Sequence, residues 1–300
     1  MKQSRTSHMS TRVLILGKNG MLGHMVEYVL AADSSFMVRG VTRDDLDVTS
    51  PSAITNAAER SEAISRHTKL EELLSDVDYI INCIGITARH IHDADPTSVA
   101  RAIAVNAAFP HALAAAASHA RIIHMSTDGV FSGRSEAPYA EDAMPDATDT
   151  YGRTKVLGES RASNVLNIRC SIVGPSPMKR EGLWEWVAAQ PDGATVDGYT
   201  NHVWHGVTTL QFAEFCRRVI ADDQFDKLRG DGPVLHFAPS APVTKAELVV
   251  ALADTLGKHC VVRPAVHAQM ITRVLATDRT NIISGTHAIA DALHACVAHA

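Results

Sequence analysis

Tyr151 and Lys155 lie four residues apart and are the side chains in this chain best suited to proton transfer. In a helix, positions i and i+4 share one face, so the phenol and the ammonium could point at one spot. A phenol with an unperturbed pKa of about 10 is a poor acid near neutral pH. A nearby ammonium favours the phenolate and lowers that pKa, which predicts a lysine-assisted tyrosine acid. An exposed helix with two unrelated polar residues has the same spacing, so the interpretation depends on the rest of the chain.

A glycine-rich turn near the start of the chain predicts a dinucleotide site. The apolar run Arg12–Gly17 has the composition of a strand buried in a parallel sheet, and a helical pattern follows at 21–32. Gly17 permits a tight turn, Gly20 lets the backbone approach a pyrophosphate, and Gly23 lets the helix pack closely. The helix N-terminus offers N–H groups to phosphates. The predicted cofactor contacts in this turn are Gly17, Asn19, Gly20, Met21, Leu22 and Gly23.

Strand and helix patterns alternate along most of the chain, which predicts an α/β fold of Rossmann type. We expect a doubly wound parallel sheet with a smaller C-terminal substrate-binding lobe. Composition shifts after Gly174, where Pro175 and Pro177 break regular structure. The predicted division is a flexible tail at 1–11, an NAD(P)-binding domain at 12–174 to which 234–256 returns, and a lobe at 175–233 and 257–300.

Composition excludes several classes of function. Apolar residues make up 46% and charged residues 20% of the 300, as in ordinary globular proteins. The net charge of -5 argues against non-specific binding to nucleic acid. We expect no stretch with the roughly 18 apolar residues that cross a bilayer, and the N-terminus lacks the apolar core of a signal peptide. These features predict a cytoplasmic protein with no membrane or nucleic-acid partner.

Cysteine and histidine spacing predicts neither disulfides nor a metal. The five cysteines are widely spread and include no C-x-x-C pair, which favours reduced thiols. The run Arg89-His90-Ile91-His92-Asp93 could place two imidazoles on one face of a strand. No partner cluster at ligand spacing accompanies it, so no metal site is predicted.

Three ordered motifs resemble those of the extended short-chain dehydrogenase/reductases. They are the glycine turn 17–23, the run Ser126-Thr127-Asp128-Gly129-Val130-Phe131-Ser132-Gly133, and Tyr151–Lys155 followed by Val-Leu-Gly-Glu. Within that superfamily the chain is most similar to the dTDP-4-dehydrorhamnose reductases and related sugar-nucleotide reductases, over about residues 12–290. The resemblance implies NADPH-dependent reduction of a nucleotide-linked 4-keto-6-deoxy sugar. It also implies a possible homodimer through the Ala-rich helix 98–118, although burial within one subunit explains that helix equally well.

The resemblance assigns roles to four catalytic residues. Thr127, at the end of a predicted strand, would hydrogen-bond the substrate carbonyl oxygen, and Tyr151 would protonate it. Lys155 would lower the pKa of the phenol and hold the nicotinamide ribose. Asp128 would position the sugar or assist protonation, and an Asx turn leading into Gly129 is the alternative. Gly129 departs from the family, which commonly has an aromatic residue there, and this leaves the exact substrate open.

The remaining cofactor contacts lie after the second and third strands of the pattern. Arg43 favours NADPH because a guanidinium can pair with a 2′-phosphate, whereas the neighbouring Asp44 and Asp45 keep NADH possible. The resemblance adds the adenine-contacting pair Asp47 and Val48, the small-residue turn of Cys83, Ile84 and Gly85, and the bracing Asn106.

Two other functions fit the same motifs. An epimerase of the superfamily would keep its NAD bound and consume none, whereas a reductase uses one NADPH per product. A regulatory subunit would bind dinucleotide without turnover.

In the predicted lobe, Trp184, Trp186 and Trp204 could stack on a base or sugar, although tryptophan is more often part of a core. The family's sugar pocket falls near Asn201–Thr208, where this chain carries different residues.

Overall fold

Six parallel strands form the central sheet of the computed structural model, which describes residues 10–49, 70–279 and 288–299. The sheet order is β2-β1-β3-β4-β5-β10, and each neighbouring pair is parallel. This confirms the predicted α/β doubly wound sheet. The strands are β1 (Thr11–Leu16), β2 (Phe36–Val41), β3 (Tyr79–Asn82), β4 (Arg121–Met125), β5 (Val165–Arg169) and β10 (Val234–His236).

Helices cover both faces of the sheet because its strands are apolar on both sides. Val13 and Ile15 of β1 share a core with helices α1 (Gly23–Ala31) and α5 (Thr209–Ala221). Leu14 and Leu16 face the opposite core, which contains helical residues 70–74 and helix α2 (Pro96–Ala116). The other helices are α3 (Thr150–Gly158), α4 (Leu183–Ala188), α6 (Phe225–Arg229), α7 (Lys245–Thr255) and α8 (Ile289–Val297).

Helix α2 is long and apolar enough to cross a membrane, by length and composition alone. The expectation that no stretch has this character is therefore wrong. The core helix of a soluble protein passes the same test, and α2 buries Phe109 and Leu113 against the sheet and the fully buried Asn106 against α3. The cytoplasmic location and the homodimer stay predictions.

Small sheets build the lobe that follows β5. Strand β6 (Ser171–Val173) pairs with β9 (Gly206–Thr208), and β7 (Thr195–Tyr199) pairs with β12 (Val261–Ala265). Strand β8 (His202–Trp204) lies between β11 (Val243–Thr244) and β13 (Ile271–Thr272). Strand β10 joins the central sheet, whereas α7 packs against β7, β8 and β12. The domain boundaries stay a prediction, and residues 1–9 of the predicted tail lie outside the described ranges.

The segment that begins with β13 returns to the central domain and runs beside the loop that follows β4. Thr272 donates its backbone N–H to the Gly133 carbonyl at 2.8 Å. Tyr139 donates to Val274 at 2.8 Å and accepts from Ala276 at 2.8 Å. Residues distant in sequence therefore reach the loop that carries Thr127 and Asp128.

All five cysteines are free; three are buried and two are half-buried. In the part of the chain that the structure describes, no three His, Cys, Asp or Glu side chains group as metal ligands would. His90 instead forms a contact of 2.8 Å with the carboxylate of Glu181.

Candidate active site

The chain reverses its winding direction at β1, which has β2 on one side and β3 on the other. The loops that follow β1 and β3 therefore diverge, and open α/β sheets bind ligands in the crevice between such loops. Gly17 opens the loop after β1 with a φ of +84°, a conformation that favours glycine. A Cβ atom on Gly17 would lie 3.2 Å from the Cγ1 of Ile84, so the two loops are in contact at the base of this crevice.

The predicted glycine turn forms the corner between β1 and α1. The N–H of Gly20 closes the turn on the Gly17 carbonyl at 2.9 Å, and α1 begins at the buried Gly23. Asn19 is exposed and Met21 is half-buried. Leu22 differs from the other predicted contacts because its side chain packs in the core, which leaves only its backbone to face a ligand.

The predicted 2′-phosphate residue lies on the exposed loop after β2. Arg43 donates from Nη2 to the Thr49 hydroxyl at 3.1 Å, and its Nε lies 3.6 Å from the Asp47 carboxylate. Asp47 also accepts from the backbone N–H of Thr49 at 2.9 Å. Val48 packs at the edge of the core. The adenine contact predicted for Asp47 and Val48 stays a prediction.

Asn106 connects the loop after β3 to helix α3. Its Nδ2 donates to the Ile86 carbonyl at 2.9 Å, and its Oδ1 accepts from the Ile86 N–H at 2.8 Å. The same Nδ2 lies 3.3 Å from the Thr154 hydroxyl of α3. Asn106 belongs to a π-helical stretch of α2, Ile103–Ala108, a local geometry often found at functional sites. Its Oδ1 would lie 3.6 Å from a Cβ atom on Gly85, and the bracing role stays a prediction.

Close packing of two helices depends on Gly158, which sequence reasoning treated only as part of a motif. A Cβ atom there would overlap the backbone carbonyl of Asn106. Only glycine therefore lets α3 approach the π-helical turn of α2 so closely. A glycine seven residues after the tyrosine on a helical pattern was the available signal.

Thr127 and Asp128 follow β4 at the carboxyl edge of the sheet. The Thr127 hydroxyl accepts from the Gly129 N–H at 3.0 Å and lies 3.2 Å from the Asp128 carboxylate, to which it donates. The alternative role of Asp128 was to form an Asx turn that leads into Gly129. In the structure the Thr127 hydroxyl, not the Asp128 carboxylate, accepts the Gly129 N–H of that turn. The carboxylate of Asp128 is half-buried beside the hydroxyl.

The ring of Tyr151 lies beside Thr127, because a Cβ atom on Gly129 would be 3.2 Å from both the Thr127 hydroxyl and the Tyr151 Cε1. Asp149 caps α3 by accepting from the Gly152 N–H at 2.7 Å, and this fixes the turn that carries Tyr151. Burial raises the pKa of Tyr151 to about 12, against a lowering by the hydrogen bond to Thr127. A Cβ atom on Gly129 would lie 3.2 Å from the Cε1 of Tyr151, so the ring packs directly over that glycine.

Lys155 is buried one helical turn from Tyr151, and its ammonium donates to the Met125 carbonyl at 2.6 Å. Burial lowers the pKa of Lys155 to about 8, and the nearby carboxylate of Glu159 acts in the opposite direction. Burial dominates the pKa of Tyr151 and raises it, and a lowering of that pKa by Lys155 stays a prediction. Cys83 lies on the other side of the ammonium, and burial raises the pKa of its thiol to about 12.

A buried ion pair between Arg169 and Glu159 was not predicted from the sequence. The Arg169 guanidinium forms a bidentate ion pair with the Glu159 carboxylate: Nε lies 2.8 Å from Oε1, and Nη2 lies 2.7 Å from Oε2. Ser126 donates its hydroxyl to the same Oε1 at 2.7 Å. The side chains of Arg169 and Glu159 are 4% and 7% exposed, so each charge depends on the other. The signals were a Glu four residues after Lys155 and an arginine inside an apolar strand.

Two cationic residues outside the predicted motifs interact electrostatically with the site: Arg273 lowers the pKa of Tyr151, and Asp128 opposes the lowering of the pKa of Lys245 by burial. Lys245 and Arg273 were not singled out from the sequence, because their positions depend on strands that pair far along the chain. Of the three tryptophans, Trp184 and Trp204 are buried in the core and Trp186 is 43% exposed. Trp204 donates its indole N–H to the Ser171 hydroxyl at 2.8 Å, so it is packed in place as part of the lobe.

A doubly wound sheet with a glycine turn at its switch point and a Tyr-x-x-x-Lys helix at its carboxyl edge defines the extended short-chain dehydrogenase/reductases. A family model described as the RmlD substrate binding domain matches residues 11–279. The chain belongs to that family.

Relatives and solved structures agree with this assignment. The chain is 37% identical over 159 residues to a probable dTDP-4,6-dihydroxy-2-methyloxan-3-one 4-ketoreductase of Streptomyces antibioticus, covering 52% of this chain and 48% of that protein. It is 30% identical over 262 residues to Agl14 of Haloferax volcanii, a probable low-salt glycan biosynthesis reductase, covering 81% and 79%. A dTDP-4-dehydrorhamnose reductase of Bacillus anthracis, solved with NADP, has a TM-score of 0.75 at 16% identity, covering 97% and 100%. The chain spans about half the length of the first two curated relatives it matches.

Proposed function

We propose that this protein is an NADPH-dependent reductase of a nucleotide-linked 4-keto-6-deoxy sugar. The observation that carries the proposal is that the Thr127 hydroxyl and the Tyr151 ring lie together at the carboxyl edge of the sheet, each 3.2 Å from the position of a Cβ atom on Gly129. Lys155 lies on the same helix, and the glycine turn lies at the neighbouring switch point. The names of the relatives, which are ketoreductases and sugar biosynthesis reductases, support this substrate class.

Each residue has a defined part in the proposed reaction. When bound, NADPH supplies the hydride that adds to the keto carbon. Tyr151 donates its phenolic proton to the oxygen, and its pKa of about 12 means that the phenol carries this proton at neutral pH. The Thr127 hydroxyl positions the carbonyl oxygen beside the phenol. Lys155 has three N–H donors, of which one binds Met125, and the others can hold the nicotinamide ribose.

A panel of nucleotide-linked 4-keto-6-deoxy sugars tests the proposal. We expect one of them to be reduced with consumption of one NADPH per product, followed by the absorbance of the reduced nicotinamide. Product formation without net NADPH consumption would identify an epimerase instead. Tight binding of NADPH without turnover of any panel sugar would favour the regulatory role.

We expect Arg43→Ala to weaken the use of NADPH by roughly tenfold to a hundredfold, because a hydrogen bond to a charged group contributes about 1.5–3 kcal/mol. NADH has no 2′-phosphate, so its KM should change little. The measurement is kcat/KM with each cofactor. Arg39→Ala is the matched control, since Arg39 is an exposed arginine of β2. An equal effect on both cofactors would contradict the role of Arg43.

The alkaline limit of activity should come from Lys155. Its ammonium is charged below a pKa of about 8, so kcat/KM should fall as the pH rises through that value. Tyr151 keeps its proton throughout this range. A kcat/KM profile that stays flat until the tyrosine titrates would contradict the prediction.

Because the pKa of Lys155 is lowered by folding, the unfolded chain binds more protons than the folded protein between pH 8 and 10.5. The contribution of this group to the free energy of unfolding therefore rises with pH in that range.

A further inference from the structure

Residues 177–182, which we call the strap, lie between β6 and α4 and contact both loops of the crevice at the switch point. Glu181 accepts a hydrogen bond at 2.8 Å from Nε2 of His90, which lies in the loop after β3. The next residue, Gly182, reaches the turn after β1, since a Cβ atom on it would lie 3.7 Å from the Sδ of Met21. Adjacent residues of the strap therefore touch the two opposite walls of the crevice in which a sheet of this topology binds its ligand.

The backbone of the strap is sharply turned and is anchored at its start. Arg180 has a φ of +50°, which is uncommon for a residue with a side chain, and Gly182 has a φ of +104°. The N–H of Arg180 donates to the Ser176 carbonyl at 2.7 Å, and the N–H of Ser176 donates to Glu185 of α4 at 2.8 Å. Ser176 is buried, whereas residues 177–180 are all exposed. The position of this exposed part therefore depends on the contacts that the strap makes with the walls of the crevice.

The contact between His90 and Glu181 can open without a large cost. The two side chains are 42% and 34% exposed, so water competes for both groups. The buried pair of Arg169 and Glu159 has no such access to water and is far harder to separate. The backbone on the His90 side is fixed, because the N–H of His90 donates to the Thr87 carbonyl at 2.9 Å. Opening of this contact would therefore move the strap and leave the opposite wall in place.

We propose that His90 and Glu181 form a latch that holds the strap across the dinucleotide crevice and limits the rate at which NADPH and NADP⁺ are exchanged. The inference goes beyond the proposed function, because it concerns the cofactor alone and needs no sugar. It also assigns a role to the histidine run at 89–93. A reductase must release its oxidised cofactor in every turnover, and a latch between exposed side chains permits this.

The release of NADPH from the full chain tests the latch in the absence of any sugar. Stopped-flow fluorescence of bound NADPH, displaced by an excess of NADP⁺, gives the rate constant of release. We expect His90→Ala and Glu181→Ala each to raise this rate constant roughly threefold to tenfold, the effect of losing one exposed hydrogen bond to a charged group. The double variant should release NADPH no faster than either single variant, because both substitutions break the same contact.

Two controls and a second readout separate a latch from a general effect on the fold. His92→Ala and Glu72→Ala remove the same side-chain types from exposed positions and should leave the rate constant unchanged. Hydrogen exchange measured by mass spectrometry on the protein without cofactor should be faster for residues 177–182 in Glu181→Ala than in the wild type. The melting temperature should stay the same, since the substitution is on the surface.

Three results would overturn the inference. They are an unchanged rate constant in both single variants, effects of the two substitutions that multiply in the double variant, and unchanged hydrogen exchange of the strap in Glu181→Ala. Reduction of a panel sugar by the wild type would in each case leave the proposed function standing. Faster release of NADPH in both single variants without turnover of any sugar has the opposite meaning. A wild type that binds no NADPH would overturn the inference and the proposed function together.

Discussion

Replacing Tyr151 with phenylalanine should lower kcat for NADPH oxidation by about a hundredfold to ten-thousandfold, the usual contribution of a positioned general acid. The substitution removes one oxygen and keeps the ring that packs over Gly129. It also removes the proton that the phenol carries at neutral pH, since burial raises the pKa of Tyr151 to about 12. Steady-state kinetics with the best sugar of the panel would measure the loss, and the Kd for NADPH should stay within a few fold of the wild-type value.

Tyr199→Phe provides the matched control. Tyr199 is 37% exposed on β7 of the lobe, so the same chemical change there should leave kcat intact. If Tyr151→Phe kept wild-type turnover, the phenol would not be the proton donor and the proposed mechanism would be wrong. Equal melting temperatures for both variants would show that a loss of turnover is not a loss of fold.

Arg169→Met should destabilise the protein by about 3–5 kcal/mol, the cost of leaving one member of a buried ion pair without its partner. Among the residues that the structure describes, Glu159 would keep the Ser126 hydroxyl as its side-chain hydrogen-bond partner at Oε1, and its charge is almost fully removed from water. The stacking of the guanidinium on Phe131, 5.1 Å from the ring centroid, would be lost as well. Urea denaturation followed by circular dichroism would measure the free energy of unfolding.

The second substitution in the pair distinguishes lost charge pairing from lost packing. Adding Glu159→Gln to Arg169→Met removes the stranded charge, and we expect it to restore part of the lost free energy. Arg161→Met is the matched control, because Arg161 is exposed and should change the free energy of unfolding by no more than about 0.5 kcal/mol. A double variant that is less stable than Arg169→Met alone would contradict this account.

The central sheet was predictable because its strands are short apolar runs followed by turn residues. Strand β1 and the glycine turn after it follow this pattern, and the helix predicted at 21–32 is α1, Gly23–Ala31. Helix α3 ends at Gly158, and the next residue, Glu159, binds Arg169 of β5. Local patterns carry such information because propensity and burial act within a few residues.

The environment of the site was not predictable from local pattern. The pKa of Tyr151 depends on burial by residues from several elements, and the bond from Lys155 to Met125 spans 30 positions. Arg273 reaches the Phe131 carbonyl from 142 positions away. Its approach depends on the pairing of β13 with β8, two short strands with little pattern of their own. Contacts of this kind depend on how strands distant in sequence pair with each other, and a single sequence contains few signals for such pairing.

The bond between the Lys155 ammonium and the Met125 carbonyl ties a mobile, four-carbon side chain to the last residue of β4. Two residues further along the same backbone stands the Thr127 hydroxyl. Lys155, which would bind the cofactor ribose, and Thr127, which would bind the substrate oxygen, would thus both be positioned by the end of β4. If thermal motion displaces the end of this strand, Lys155 and Thr127 should move together. The distance between the hydride donor and the hydride acceptor would then change little.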